Sequence, residues 1–200
     1  MLKSGCPATD VTVRGRGPGA AEPAACNAWR AEAIGRIVAA RPAIVVLGSA
    51  STHLGRKERR PSRLDVSLEE WRDGTRRTLA SLAAAQIPML VLRDTPLPPF
   101  DVPTCLARSV RHTWYLWDSC EIRRDVALDP RVFDAERAGA QALPGVHFFD
   151  VTDRLCDAEV CATTQKNVVI YADASHLTAS FVDSLAPLLQ TKLSELVHDE

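Results

Sequence analysis

The segment Tyr171-Ala172-Asp173-Ala174-Ser175-His176-Leu177-Thr178 puts a carboxylate three residues ahead of an imidazole on what reads as a tight loop. A carboxylate held against one ring nitrogen selects a single tautomer. The other nitrogen is then free to take a proton from a serine hydroxyl, which is the work of a general base in acyl transfer. Asp173 and His176 are therefore the candidate catalytic pair. A base of this kind needs a nucleophile, and no Gly-Asp-Ser or Gly-x-Ser-x-Gly turn occurs in the chain. Ser4, Ser49, Ser51 and Ser175 are the serines near the inferred site, and none stands on a recognisable nucleophile turn. Asp-x-x-His alone is weak evidence. The plain structural alternative makes His176 a cap of the last helix and Asp173 a turn residue.

The flanking elements strengthen the pair. Asn167 to Tyr171 (NVVIY) reads as a buried strand, and from Thr178 to Val197 the apolar residues Phe181, Leu185, Leu188, Leu189, Leu193 and Leu196 recur at helical spacing. This puts the pair at the carboxyl end of a strand, where open α/β sheets keep their sites. Upstream, Cys26 to Ala40 predicts an amphipathic helix closed by Arg41-Pro42. Ile44 to Leu47 predicts a strand, Ser67 caps a second helix, Pro88 to Leu92 is another strand, Pro130 to Leu143 a third helix and Val146 to Phe149 a further strand. The alternation predicts an α/β fold, a three-layer α/β/α sandwich with a mainly parallel sheet, as one domain over residues 1–200. Gly48-Ser49 opens a small polar turn at a strand's carboxyl end, a place that lines sites in parallel sheets. Asp94, before Thr95-Pro96, reads as a turn former. Residues 1 to 25, with Arg14-Gly15-Arg16-Gly17-Pro18-Gly19, read as a long surface loop.

A hydrophobic content of 46% over 200 residues is enough for a sizeable core. A net charge of −1 and a pI near 6.5 exclude an electrostatic case for nucleic acid. The basic cluster Arg56-Lys57-Glu58-Arg59-Arg60, with Arg63 beyond Pro61, reads as a solvated loop, and Trp114 and Trp117 read as packing before sugar stacking. No run is long enough for a membrane helix, and the first residues lack the regions of a signal peptide. Cys6, Cys26, Cys105, Cys120, Cys156 and Cys161 form an even set in loop-like segments, which fits disulfides in an oxidising compartment. Nearest-neighbour pairing (6 with 26, 105 with 120, 156 with 161) is one of the many connectivities that six cysteines allow. Ligand spacing for zinc is lacking, and the pattern calls for no metal or cofactor.

Several motifs in one order resemble a known family: Met1-Leu2-Lys3-Ser4-Gly5-Cys6-Pro7, Cys26-Asn27-Ala28-Trp29-Arg30, Arg41-Pro42 before the VVLGS strand, Leu92-Arg93-Asp94-Thr95-Pro96, Pro103-Thr104-Cys105-Leu106 and Asp173-Ala174-Ser175-His176-Leu177-Thr178. The chain resembles the extracytoplasmic SGNH domains fused to the carboxyl end of acyltransferase-3 membrane proteins. The resemblance implies transfer of an acyl group, usually acetyl, to a cell-envelope glycan or glycolipid. It matches His176 to the catalytic base, Asp173 to its orienting carboxylate, the cysteines to structural bridges, and Gly48 and Ser49 to a loop that supplies an oxyanion donor. It also implies a first strand ending in Gly-Asp-Ser-His and an upstream membrane acyltransferase as partner, neither of which this sequence contains. The expectation is a domain whose serine lies outside the chain. A non-catalytic envelope module that binds glycan or a partner protein is the alternative.

Overall fold

The computed structural model describes residues 3, 5–13, 22–54, 66–111 and 120–198. Ser4, the Gly-rich stretch 14–19, the basic cluster 56–60 with Arg63, Trp114 and Trp117 lie outside them. In chain order the elements are α1 (Pro23–Ala40), β1 (Val45–Gly48), α2 (Leu68–Ala84), β2 (Met89–Leu92), α3 (Val102–Arg111), β3 (Ile122–Arg123), α4 (Arg124–Ala127), α5 (Pro130–Ala140), β4 (Val146–Phe149), α6 (Thr152–Leu155), β5 (Val160–Cys161), β6 (Thr164–Gln165), β7 (Val168–Val169) and α7 (Ala179–His198). They group into two compact units. One holds Met1–Asp94 and Pro130–Phe149, the other Thr95–Asp129 and Asp150–His198.

The first unit is built on a parallel sheet in the order β1-β2-β4, with Val45 beside Met89 and Met89 beside Val146. These strands are apolar runs with little alternation, as strands covered by helices should be. Val45, Leu47, Met89, Val91, Val146 and Phe148 share one face. They pack with Ile34 and Ile37 of α1, Leu79 and Leu82 of α2, and Ala140 of α5. Local signals set the helix ends. Pro23 begins α1, where its fixed φ costs nothing, and Arg41 ends it in a left-handed conformation (φ 44°) with its N–H on the Ile37 carbonyl at 3.0 Å. The Ser67 hydroxyl accepts the Glu70 N–H at 3.1 Å, and Glu69 and Glu70 complement the helix dipole in the first turn of α2. The α/β class and the parallel sheet agree with the sequence reading.

The amino-terminal segment differs from the surface loop expected of it. Val11 and Val13 are each 2% exposed and belong to a core with Cys26, Leu54, Val66 and Trp71. Arg30 of α1 holds the segment in place: its guanidinium, buried, donates to Asp10 Oδ1 at 2.9 Å and to the carbonyls of Pro7 and Val11. Asp10 Oδ2 accepts from Arg77 of α2 at 2.7 Å. Only the arginine is buried, and loss of Asp10, whose side chain is 39% exposed, would leave the guanidinium without its charged partner. Two glycines mark close approaches. A Cβ on Gly74 would sit 2.6 Å from the Asp10 carbonyl oxygen, and one on Gly139 would sit 2.5 Å from that of Arg72, where α2 and α5 cross.

The second unit has short elements around a core of Val102, Ile122, Leu155, Ile170, Tyr171 and Phe181. β3 pairs antiparallel with β5, and β6 with β7. NVVIY is therefore not a fourth strand of the parallel sheet. Lys166 and Asn167 both adopt positive φ (47° and 65°), the two-residue turn whose twist sends the chain straight back into a hairpin, so Val168 pairs with Gln165 and Val169 with Thr164. α3 was not foreseen, although Asp101 caps it by accepting the Thr104 N–H at 2.9 Å and Pro103 stands in its first turn. The three disulfides, Cys6–Cys26, Cys105–Cys120 and Cys156–Cys161, follow nearest-neighbour pairing, with Cα separations of 5.3, 6.0 and 3.8 Å. Cys26 and Cys105 are helical and Cys161 is in a strand, not in loops. In the loop-entropy account a bridge spanning 15 residues stabilises by about 3 kcal/mol and one spanning five by about 2 kcal/mol.

Candidate active site

Asp173 and His176 meet on the loop between β7 and α7. The loop is pinned at both ends: the Ala172 N–H donates to the His176 carbonyl at 2.8 Å, and the Thr178 N–H donates to the Ile170 carbonyl at 2.8 Å. Within it, His176 Nδ1 lies 2.7 Å from Asp173 Oδ2. Asp173 Oδ1 accepts the backbone N–H groups of Ser175 at 2.6 Å and His176 at 2.8 Å. These donors hold the Asp173 carboxyl well below the usual carboxylate range, the His176 ring first, then the two backbone amides. An ionised carboxylate only accepts, so Nδ1 carries a proton, and in the neutral ring Nε2 is the nitrogen with the free lone pair. The His176 side chain is 78% exposed and the Asp173 side chain 44%, so the ring is open to solvent.

The helix-cap reading of His176 falls to Thr178 instead, whose Oγ1 accepts the Phe181 N–H at 3.3 Å and donates to the Val169 carbonyl at 2.6 Å. Ser175 is on the wrong side of the ring to be a nucleophile. Its hydroxyl donates to Asp173 Oδ1 at 3.1 Å and lies 3.2 Å from Nδ1, the nitrogen that is already protonated. Just before the loop, Tyr171 is fully buried, with a hydroxyl that has no hydrogen-bond partner among the described residues. Burial pushes its phenol far above the ordinary range.

Gly48 and Ser49 belong to the other unit, at the carboxyl end of β1. Space around Gly48 is open, with nothing within 4 Å of where a Cβ would lie and no positive φ, so the backbone does not demand glycine there. The Ser49 hydroxyl accepts both the N–H and the hydroxyl of Thr9, at 3.1 and 3.0 Å. Beyond the turn, Asp94 is more than a local turn former. Its Oδ2 accepts the N–H and hydroxyl of Ser51 at 2.6 and 2.7 Å, tying the end of β2 to the turn after β1.

The sequence reading missed Glu136, which lies on α5, is 4% exposed and accepts from Trp71 Nε1 at 3.1 Å. Its Oε2 has no hydrogen-bond partner among the described residues. Desolvation raises its pKa from the ordinary glutamate range to about 7; the Trp71 hydrogen bond and Arg93 oppose the rise, and Asp94 adds to it. A cleft with apolar walls from Leu47, Leu79 and Val91 is also lined by Thr9, Ser49 and Glu136. The only hint in the sequence was a glutamate on the apolar side of a predicted helix, three residues beyond Phe133.

Among the described residues no cluster of histidine, cysteine or acidic side chains could hold a metal ion, and no helix is long and apolar enough to cross a membrane. A search of curated proteins finds no match. Among solved structures, the fold is similar to the "lipopolysaccharide acetyltransferase periplasmic domain" of Salmonella ser. Paratyphi A, with a TM-score of 0.62 at 15% sequence identity, covering 92% of this chain and 68% of that one. The family model for the SGNH domain fused to AT3 domains matches residues 1–191. With its α/β fold and its pinned Asp-x-x-His loop, the chain belongs to that SGNH domain family.

Proposed function

We propose that Asp173 and His176 are the orienting carboxylate and the general base of an SGNH-type O-acyltransferase, and that the nucleophilic serine comes from a Gly-Asp-Ser-His segment outside these 200 residues. The observation that carries this reading is the 2.7 Å contact from Nδ1 to a carboxylate whose other oxygen is held by two backbone N–H groups, with the ring exposed. Nε2 takes the serine proton as the hydroxyl oxygen attacks the donor's acyl carbonyl, and Asp173 stabilises the imidazolium that forms. The imidazolium returns the proton to the leaving group. Nε2 then takes a proton from an acceptor hydroxyl, which attacks the acyl-serine and carries the acyl group away as the imidazolium returns the proton to the serine oxygen. Acetyl is the acyl group and a sugar hydroxyl of a cell-envelope glycan or glycolipid the acceptor. An upstream AT3 membrane domain acts as partner, and its fusion to this family supports an extracytoplasmic location, as do three disulfides.

The test uses p-nitrophenyl acetate and the chain joined to its Gly-Asp-Ser-His segment. Acyl-enzyme formation is expected, and His176→Ala should slow it by roughly 10²- to 10⁴-fold, the usual range for a lost general base. An acyl-enzyme formed by the 200-residue chain alone, and lost in His176→Ala, would overturn the placement of the serine. Unchanged acylation in the joined His176→Ala protein would overturn the role of the base.

A further inference from the structure

The turn after β1 is set from outside itself. Gly48 has no side chain to anchor it, and glycine gives the backbone its widest conformational range. Two outside contacts hold the turn. Ser51 is bonded to Asp94 at the end of β2. Ser49 Oγ accepts two hydrogen bonds from Thr9, one from its N–H at 3.1 Å and one from its hydroxyl at 3.0 Å. A hydroxyl oxygen has two lone pairs, and Thr9 fills both. Thr9 is itself held. It is 6% exposed and lies in the stretch 7–11, which is neither helix nor strand. The main chain of that stretch is nevertheless bonded residue by residue. The Pro7 and Val11 carbonyls accept from the Arg30 guanidinium at 3.4 and 3.2 Å. The Ala8 carbonyl accepts from the Thr78 hydroxyl at 3.0 Å, and the Asp10 N–H donates to the same oxygen at 3.0 Å. The Asp10 carbonyl accepts from Arg77, and Cys6, just before the stretch, is bridged to Cys26 of α1. A segment whose polar groups are matched in this way by α1 and α2 is a rigid strap, and Thr9 carries its rigidity to the turn.

We propose that Thr9 is a positioning residue for acyl transfer, its two hydrogen bonds to Ser49 fixing the turn after β1 in the arrangement that serves the reaction. The amino-terminal strap then has a task beyond closing the core. This inference rests on the acyl-transfer function proposed above and on the resemblance that matches Gly48 and Ser49 to an oxyanion loop. What it adds is the residue that holds the loop still. Ser49 Oγ acts in it as the point of attachment to the strap. Groups that stabilise developing charge work because they are fixed before the charge appears. A displacement of about 1 Å in such a group can cost about 10²-fold in rate.

The experiment measures acyl-enzyme formation from p-nitrophenyl acetate by the chain joined to its Gly-Asp-Ser-His segment. Thr9→Val keeps the shape of the side chain and the N–H but removes the hydroxyl. It should lower the acylation rate constant by about tenfold, the worth of one hydrogen bond, with half-saturation by the ester unchanged. Thr9→Ser, which restores the hydroxyl, should restore the rate. Ser49→Ala removes the same contact from the other partner and should cost at least as much. The double variant Thr9→Val/Ser49→Ala should be no slower than Ser49→Ala alone, because the two residues act through one contact. The proposal is overturned by a Thr9→Val protein that acylates within twofold of wild type, by a Thr9→Ser protein as slow as Thr9→Val, or by losses that add in the double variant. A folded Thr9→Val protein that has lost stability but not rate would show a purely structural residue and overturn it too. The Thr9→Val loss is expected again in the His176→Ala background. An effect of His176→Ala without one of Thr9→Val sinks this inference alone, and the reverse pattern sinks the general-base reading alone.

Discussion

Two carboxyl groups, one in each unit, are driven in opposite directions by their surroundings. Asp173 stands on an exposed loop and is wrapped by donors: an imidazole, two backbone amides and a hydroxyl. Glu136 is walled in by apolar side chains and meets one donor among the described residues, the Trp71 indole. Hydrogen bonds to the charged form lower the first, and desolvation raises the second to about 7. Residue type alone does not tell an orienting carboxylate from a neutral acid. The number of donors within reach does, and at Asp173 they come from the two residues that follow it closely in sequence.

The comparison can be sharpened first by pH. The Glu136 pKa is higher folded than unfolded, so the folded state holds its proton more tightly. The stability this gives is fully present below about pH 4.5 and is lost as pH rises through about 7. The shift corresponds to stability on the order of 3 kcal/mol. Urea unfolding between pH 5 and 8 should show this decline, and Glu136→Gln should abolish it. A wild-type protein with no decline would break the contrast on the buried side.

Asp173 has the opposite sign. Its folded pKa lies below the unfolded one, so its contribution is present above about pH 4 and is lost as pH falls further toward the folded value. Exposure and solvent screening keep its effect on stability below that of Glu136. The sharper readout is the ring it orients. In ¹⁵N spectra neutral His176 should be mainly the Nδ1–H tautomer, and Asp173→Asn should shift the population toward Nε2–H. An unchanged tautomer ratio would mean that the carboxylate does not select the form that keeps Nε2 free.

The smallest effect concerns a neutral orphan. Tyr171→Phe removes a buried hydroxyl that has no partner among the described residues and keeps the ring in its core. Thermal unfolding should be unchanged or shifted upward, by no more than about 1 kcal/mol in stability. A loss above that would show that the hydroxyl is matched after all, unlike Glu136 Oε2.

The contact between Asp173 and His176 was legible because it is local. Asp173 and His176 are three residues apart, and the loop that joins them supplies its own hydrogen bonds. The parallel strands were legible for a similar reason, since Val45–Gly48, Met89–Leu92 and Val146–Phe149 are continuous apolar runs. NVVIY misled because apolar content does not reveal direction: the backbone of Lys166 and Asn167 decides that the strand turns back. The amino-terminal core was hidden because what buries Val11 and Val13 is Arg30, Trp71 and the Cys6 bridge, partners far along the chain. Glu136 was hidden because its state depends on walls drawn from β1, α2 and β2.

Each disulfide closes within one uninterrupted passage of chain through one unit, spanning 20, 15 and five residues. The chain leaves the first unit after Asp94, returns to it at Pro130 and leaves again after Phe149. No bridge has to wait for either return. Followed along the chain, each cysteine that needs a partner meets the correct one next. Pairing each cysteine with the next one along the chain reproduces the native connectivity.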